Sequence, residues 1–162
     1  KKLLDNGADK IVVNSAALKS PKIINSFSSK YGKQCIVVSI DVKKIDNDFF
    51  VFSDYGKNKT NYKLEEWIKI VQEEGAGEIF LQSILFDGSL EGYDYDMVER
   101  ISRIINLPLI VSSGAGNWEH FEKLFKFDFV SAASTTNIYH FTESSIKSLK
   151  KFLAKKHLEV RL

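Results

Sequence analysis

Residues 35–44 read CIVVSIDVKK, an apolar run that leads into an aspartate and two lysines. A strand that is apolar nearly throughout is typical of a parallel sheet whose two faces are both covered. Shorter runs of the same kind occur at Lys10–Asn14, Glu78–Ile84, Leu109–Ser113 and Phe129–Ser134. We therefore expect five parallel strands along this chain.

Segments with helical periodicity separate these runs, and an additional β-rich run at 49–53 is predicted to extend the second strand as a hairpin. The predicted helices are Pro21–Gly32, Leu64–Val71, Met97–Ile105, Trp118–Phe127 and Ser144–Lys156. Alternating strands and helices indicate the α/β class. Two architectures fit the pattern, an open doubly wound sheet and a (βα)₈ barrel, and the pattern alone does not separate them.

Composition places the chain among ordinary globular proteins. It has 162 residues, of which 44% are hydrophobic and 27% charged, and its formal net charge is +2. These values predict a single domain over 1–162 and give no indication of nucleic-acid or membrane binding. The single cysteine, Cys35, cannot form an intramolecular disulfide, which fits a cytoplasmic protein. Because the chain starts KKLL and its one methionine is Met97, we expect further residues before Lys1.

In both architectures, ligands bind at the carboxyl ends of the strands. Asp41 follows the apolar residues 36–40, where a carboxylate acts well as a general acid or base because burial tunes its pKa. The alternative is a structural role, as a helix cap or as a salt bridge to Lys43 or Lys44.

Two loops of small residues follow the last two strands, and both could bind phosphate. The first is SSGAGN, which includes Ser112, Ser113 and Gly114, and the second is STTN, which ends at Asn137. Small residues let backbone N–H groups approach an anion, and a helix start adds partial positive charge. An ordinary tight turn is the alternative.

A third loop contains Asp87 and Gly88, and it could fold over a ligand because glycine permits positive φ. Asp94, farther along, is predicted to be the N-cap of the next helix. The three histidines are scattered without the spacing of a metal site, so no metal and no cofactor are expected.

Several of these runs together resemble the cyclase subunit of imidazole glycerol phosphate synthase, the HisF family. They are GADKIVVNSAAL, VVSIDVKK, GAGEIFLQSI with the following DG and GYD, LPLIVSSGAGNWEHF, NIYHFTE and the terminal EVRL. They span nearly the whole chain in the family's order. The resemblance implies a partial phosphate-binding TIM barrel, about strands 4–8, with the first strands outside this sequence.

The resemblance also implies a function in histidine biosynthesis. Members of the family use ammonia from a glutaminase subunit (HisH-like) to convert a phosphorylated substrate into imidazole glycerol phosphate and AICAR. The expected activity is that of a lyase or cyclase with an amidotransferase partner. Two aspartates catalyse the reaction; one matches Asp41, and the other belongs to a strand outside this sequence.

Further site residues follow from the same resemblance. The substrate carries phosphate at both ends, and Asp87 and Gly88 match residues that face it. One phosphate site matches Asn14 and Ser15, and the other matches Ser112, Ser113, Gly114 and Asn137. At the opposite face, Lys10 and Glu78 match an ammonia gate, and Asp9 matches a residue at the glutaminase interface.

Three departures from the family's pattern, all at the substrate face, leave other functions open. Leu85 stands where an aspartate is usual, Ser113 where a glycine is usual, and about three extra residues lie within 134–136 in the loop after the last strand. One alternative is a HisF-like subunit that relays ammonia to an amidotransferase of bacterial surface-sugar (acetamidino) biosynthesis, which VVSIDVKK and NIYHFTE also resemble. Another is a non-catalytic, phosphate-binding fragment.

Overall fold

A computed structural model describes residues 2–141 and 145–161. The strands in this part of the chain are β1 (Ile11–Val13), β2 (Ile36–Ile45), β3 (Asp48–Ser53), β4 (Asn58–Lys63), β5 (Glu78–Ser83), β6 (Leu109–Ser112) and β7 (Val130–Ser134). The helices are α1 (Lys2–Asp5), α2 (Ser15–Lys19), α3 (Lys22–Tyr31), α4 (Leu64–Glu73), α5 (Tyr95–Ile101), α6 (Trp118–Leu124), α7 (Asn137–Phe141) and α8 (Ile146–Lys155). A 3₁₀ turn, Lys33–Cys35, precedes β2.

Five strands pair in parallel, in the same order as they occur in the chain. β1 pairs with β2, β2 with β5, β5 with β6, and β6 with β7. A doubly wound sheet reverses its strand order at a switch point, and this sheet does not. The predicted parallel sheet is confirmed, and it is the wall of a partial (βα)₈ barrel rather than a doubly wound sheet.

One face of the wall is fully covered and the other is partly open. In β5, Ile79 and Leu81 are completely buried, whereas their neighbours Phe80 and Gln82 are half-buried. The covered face belongs to one hydrophobic core that also contains apolar residues of α3, α4, α5, α6 and α8. Because these helices share a single core, they lie on one face, and the partly open face corresponds to the barrel lumen.

A hairpin extends from the upper half of β2. Residues Asp41–Ile45 of β2 pair antiparallel with β3, as the sequence predicts, and β3 pairs with β4. β4 was not predicted because its sequence, NKTNYK, has no apolar alternation. Individual contacts stabilise it: the Thr60 hydroxyl donates to the Val51 carbonyl at 2.8 Å, and the Tyr62 ring packs on Trp67 with centroids 4.9 Å apart.

Some helix boundaries differ from those predicted. α5 ends at Ile101 rather than Ile105 because the following turn bonds to a side chain: the Gln72 amide donates to the Ile104 carbonyl and accepts from the Asn106 N–H. α6 ends at Leu124 rather than Phe127, and the short helices α1, α2 and α7 were not predicted. Ser144, the predicted start of the last helix, lies outside the described residues, as do Thr142, Glu143 and Leu162 of the motifs above.

Within the described ranges, no helix is long and apolar enough to cross a lipid bilayer. The longest helices in these ranges have ten residues, about half of what a membrane span needs.

The unpaired edges of the wall generate the first prediction. In the described part of the chain β1 pairs only with β2, and β7 only with β6. Because open edges template further pairing, we expect the 162-residue chain to self-associate in analytical ultracentrifugation. Val12 of β1 is 64% exposed, so Val12→Lys should weaken association about tenfold, the contribution of one buried valine.

Tyr55→Lys is the matched control, because Tyr55 is 96% exposed and belongs to neither edge strand. This variant should associate like the wild type. A monodisperse, cooperatively unfolding wild-type monomer would contradict the prediction.

Candidate functional site

Strand register aligns four polar residues in one row across the wall. Asp41 pairs with Gln82, Gln82 with Ser112, and Ser112 with Ser134. Residues paired in parallel strands project to the same face, and here it is the lumen face. β2 continues past Asp41 to Ile45, so Asp41 lies inside a strand rather than at its end, but at the level where the neighbouring β5 ends.

The surroundings of Asp41 favour its protonated form more than water does. Burial raises the pKa of the Asp41 carboxyl, the negative charge of Asp87 raises it further, and a hydrogen bond with the Asn14 amide lowers it. The net direction is upward. Lys44, a salt-bridge partner considered from the sequence, instead pairs with Asp96 at 3.0 Å.

The loop between β5 and α5 makes hydrogen bonds to Gln82, which pairs with Asp41, and to Asn137, which follows β7. The Gln82 amide donates to the Asp87 carboxylate at 3.0 Å, which directs Asp87 toward the polar row. The carbonyl of the next residue, Gly88, accepts a hydrogen bond from the Asn137 amide at 2.8 Å. Gly88 has φ +74 and lies so close to Asn137 that a Cβ there would be 2.9 Å from its nitrogen. Asn137 is thus already bonded to this loop.

The loop between β6 and α6 packs closely against the loop between β5 and α5. The Gly92 N–H donates to the Gly114 carbonyl at 2.8 Å, and a Cβ on Gly114 would overlap the Phe86 carbonyl oxygen. Next to it, the Ser113 N–H donates to the Ser134 carbonyl at 3.3 Å. The glycine at 114 is therefore required by the packing of two loops, whatever ligand they bind.

The loop between β3 and β4 reaches the first strand of the wall. The Asp54 N–H donates to the Ser15 hydroxyl at 2.9 Å, at the start of α2. Asp54, Tyr55 and Gly56 all have positive φ, and a Cβ on Gly56 would lie 3.0 Å from the Ile84 side chain. This loop therefore lies over the end of the wall that carries Asp41.

Buried polar atoms without a partner in the protein concentrate at this end. Among the described residues, the unpaired side-chain atoms are Asn14 Oδ1, Ser113 Oγ, Thr135 Oγ1 and Trp67 Nε1. The first three follow β1, β6 and β7 directly. An unsatisfied buried polar group costs about 1–3 kcal/mol, so these three positions are suited to a polar ligand.

At the opposite end of the wall lies an ion pair between residues of β5 and the segment before β1. Lys10 Nζ lies 2.7 Å from Glu78 Oε2. Glu78 is four residues before Gln82 on β5, so it lies about 13 Å below the polar row at the usual rise per residue. Asp9, next to Lys10 in the chain, is exposed.

Gln82 was not singled out from the sequence, although it could have been found, because it is the one amide in the apolar run EIFLQSI. Ser134 and Thr135 were predicted only as members of the loop STTN, in which nothing distinguishes them from their neighbours. The predicted N-cap, Asp94, is confirmed: its carboxylate accepts from the Met97 N–H and from the Ser83 hydroxyl, both at 3.1 Å.

No group of three His, Cys, Asp or Glu side chains within residues 2–141 and 145–161 could hold a metal ion. The polar row contains a single carboxylate, with a second in the adjoining loop, and is therefore suited to acid–base chemistry on an organic substrate.

Comparison with known proteins gives a consistent result. Residues 1–145 match a family described as histidine biosynthesis protein. The whole chain is 44% identical to the imidazole glycerol phosphate synthase subunit HisF of Natranaerobius thermophilus. It is 46% identical over 157 residues to the subunit of the same name from Chlorobium phaeobacteroides.

A third relative, the HisF subunit of Flavobacterium johnsoniae, is 44% identical over 160 residues. The alignments cover 100%, 97% and 99% of this chain, but 64%, 62% and 64% of the three relatives. The chain thus spans somewhat under two thirds of the length of the proteins it matches.

The environment of Asp41 generates a prediction about stability. Its pKa is higher in the folded than in the unfolded chain, so its contribution to stability is full below the unfolded pKa and is lost as pH rises through the folded pKa. Asp41→Asn removes the ionised form. We expect a higher melting temperature than the wild type at pH 7, and a difference that shrinks toward zero as the pH falls below about 3.9, the ordinary pKa of an aspartate.

Asp54→Asn is the control, and we expect it to shift the melting temperature in the opposite direction. Hydrogen bonds from Asn58 and Ser53 lower the pKa of Asp54, so its contribution is present above the unfolded pKa and lost as pH falls. This variant should melt lower than the wild type at neutral pH. If Asp41→Asn also melted lower at pH 7, the assigned environment of Asp41 would be wrong.

Proposed function

The chain belongs to the histidine biosynthesis protein family, and from that premise we propose that it forms the carboxyl-terminal part of the cyclase subunit of imidazole glycerol phosphate synthase. The subunit uses ammonia from a glutaminase to cleave and cyclise a substrate with phosphate at both ends. The products are imidazole glycerol phosphate and AICAR. The observation that carries the proposal is the polar row headed by Asp41, with two loops beside it that contain unpaired buried hydroxyls.

Asp41 acts as one general acid or base of the reaction. Burial and the charge of Asp87 bring its pKa closer to neutrality, and a group whose pKa lies near the working pH transfers protons most efficiently. The Asn14 amide orients the carboxylate, and the side chain of Asn14 is free for this because it makes no cap bond to α2. Asp87, oriented by Gln82, faces the substrate.

Two phosphate sites lie at either side of this row. The Ser113 and Thr135 hydroxyls are buried donors without a protein partner, and they lie with Ser112 and Gly114 at the ends of β6 and β7, where phosphate is bound in many barrels. Asn137 and Gly88 close this side by their mutual hydrogen bond. Asn14 and Ser15, at the end of β1, form the second site.

Ammonia enters at the opposite end. Lys10 and Glu78 form a gate in the barrel floor, because their ion pair lies on the lumen side about 13 Å below Asp41. A glutaminase subunit docks there, and Asp9 is exposed for contact with it. No cofactor is required, and the enzyme, a lyase with an amidotransferase partner, works in the cytoplasm.

A second candidate function rests on Leu85 and Ser113. Leu85 is 52% exposed in the substrate-side loop, where the family usually has an aspartate, and the Ser113 hydroxyl is buried without a partner. Both departures lie at the substrate end, whereas the Lys10–Glu78 pair is intact. This combination favours a subunit that relays ammonia to an amidotransferase acting on a surface sugar. A non-catalytic phosphate-binding fragment is the third possibility.

The activity of two variants of the full-length protein separates these functions. Asp41→Asn should lower cyclase turnover about 10²- to 10⁴-fold with either glutamine or ammonium salt as the nitrogen source, because it removes a positioned proton-transfer group. Lys10→Ala should lower glutamine-dependent turnover more than ammonium-dependent turnover, because the floor is remote from the substrate.

In an ammonia relay, Asp41→Asn should spare delivery while Lys10→Ala impairs it. Lys63→Ala is the control, because Lys63 also forms a 2.7 Å ion pair, with Asp48, but on the hairpin. Small, equal effects of the Asp41 and Lys10 variants under both nitrogen sources would refute both the cyclase and the ammonia-relay functions. The phosphate-binding fragment would then remain.

Phosphate binding is tested with Thr135→Val, which keeps the shape of the side chain and removes its unpaired hydroxyl. The variant should bind inorganic phosphate about ten- to a hundredfold more weakly by calorimetry, the loss expected for one hydrogen bond to a charged group. Thr136→Val is the matched control, because the neighbouring Thr136 is exposed. Equal affinities of both variants and wild type would exclude Thr135 from the site.

A further inference from the structure

The imidazole of His120 lies between the two loops that carry most of the proposed substrate residues. The Gly116 N–H, in the loop between β6 and α6, donates to His120 Nδ1 at 3.0 Å. On the other side, Gly92 of the loop between β5 and α5 is so close that a Cβ there would lie 3.4 Å from three ring atoms. The ring therefore makes a hydrogen bond to one loop and packs flat on the other.

The backbones of these two loops approach each other closely near the ring. The Gly92 N–H bonds to the Gly114 carbonyl, and a Cβ on Gly116 would overlap the Leu90 carbonyl. Gly114 and Gly116 flank a single residue, Ala115, which is fully buried. A shift of Gly116 would therefore move Gly114 and its neighbour Ser113.

We infer that His120 is a positioning residue for the phosphate site: its neutral imidazole accepts the Gly116 N–H and thereby fixes the loop that carries Ser113 and Gly114 against the loop that carries Asp87 and Gly88. The inference rests on the proposed function only in taking Ser113 and Gly114 as anion donors. It adds a residue that does not touch the substrate but sets the spacing of those that do.

The donors around the ring select its neutral form. Besides Gly116, the Asn117 amide nitrogen lies 3.3 Å from His120 Nε2, and this amide is held in place because its oxygen accepts the His120 N–H at 3.0 Å. A neutral imidazole can accept at one nitrogen, and the shorter Gly116 contact uses that lone pair. An imidazolium has no acceptor and would lose the hydrogen bond from the Gly116 N–H.

The electrostatic surroundings act in the same direction. Burial lowers the pKa of His120, Glu119 on the same helix raises it, and Lys123 lowers it. On the elements packed against the ring, Glu91 precedes Gly92 on the loop, and the Tyr95 hydroxyl of α5 donates to the His120 carbonyl. The net direction is downward, so the ring is neutral at neutral pH and gains a proton as the solution is acidified.

Two substitutions in the full-length protein separate the hydrogen bond from packing. His120→Phe keeps a flat ring against Gly92 but has no acceptor, whereas His120→Asn places a carbonyl oxygen close to the position of Nδ1. Sulfate is the probe, because its charge is constant between pH 5 and pH 8, unlike that of phosphate. Sulfate affinity is measured by calorimetry, and exchange of the Gly116 amide by NMR.

We expect His120→Phe to weaken sulfate binding about five- to tenfold and to accelerate Gly116 exchange, because one hydrogen bond is lost. His120→Asn should restore both to within about twofold of the wild type. A His120→Phe variant with wild-type affinity and wild-type exchange would overturn the inference, and so would loss of binding in both variants with unchanged exchange.

Acidification of the wild type tests the inference without any mutation. If His120 acts by position, sulfate binding should weaken and Gly116 exchange should accelerate as the ring is protonated. If it acted by charge, the new cation would strengthen sulfate binding, and that result would overturn the inference. Absence of sulfate binding by the wild type at pH 8, with Gly116 exchange still responding to His120→Phe, would refute the proposed phosphate site while leaving the loop contact intact.

Discussion

The register of the parallel strands is the constraint on which the rest of the structure depends. Asp41, Gln82, Ser112 and Ser134 form a row only because β2, β5, β6 and β7 pair in the alignment observed. A slip of one residue would turn each of these side chains into the hydrophobic core and bring an apolar neighbour into the lumen. The apolar residues on the opposite face, such as Ile40, Leu81 and Val111, are completely buried and hold this register.

The same alternation explains what could be predicted from the sequence. Five strands were predicted because apolar runs such as CIVVSI and EIFLQSI carry a strong signal, and Asp41 was singled out because a carboxylate follows one of them. β4 was missed because its stability comes from contacts with Val51 and Trp67, distant or cross-strand partners that leave no periodic pattern. Helix ends were displaced for a similar reason, since Gln72 bonds a turn more than thirty residues away.

Glycines near the site illustrate a limit of reasoning from residue type alone. Gly114 suggested a close approach of backbone to phosphate, but its lack of a side chain is already required by the Phe86 carbonyl of the neighbouring loop. The clearer indication of a ligand is that two hydroxyls in the predicted loops, those of Ser113 and Thr135, are buried without a protein partner, which only the structure reveals. At position 114, loop packing and phosphate binding both favour glycine. At position 113, a buried hydroxyl without a partner is explained by ligand binding and not by packing.

The hairpin on β2 bears on the order in which the molecule assembles. β2 offers one edge to two partners, with residues 36–38 paired to β1 and residues 41–45 paired to β3. The pairing with β3 joins Asp41 to Phe52, eleven residues apart, whereas the pairing with β5 joins it to Gln82, forty-one residues apart. Short loops close at a smaller entropic cost than long ones. The segment of β2 that carries Asp41 can therefore become ordered through local pairing with β3. The slower, long-range pairing with β5 then forms on a strand that is already ordered.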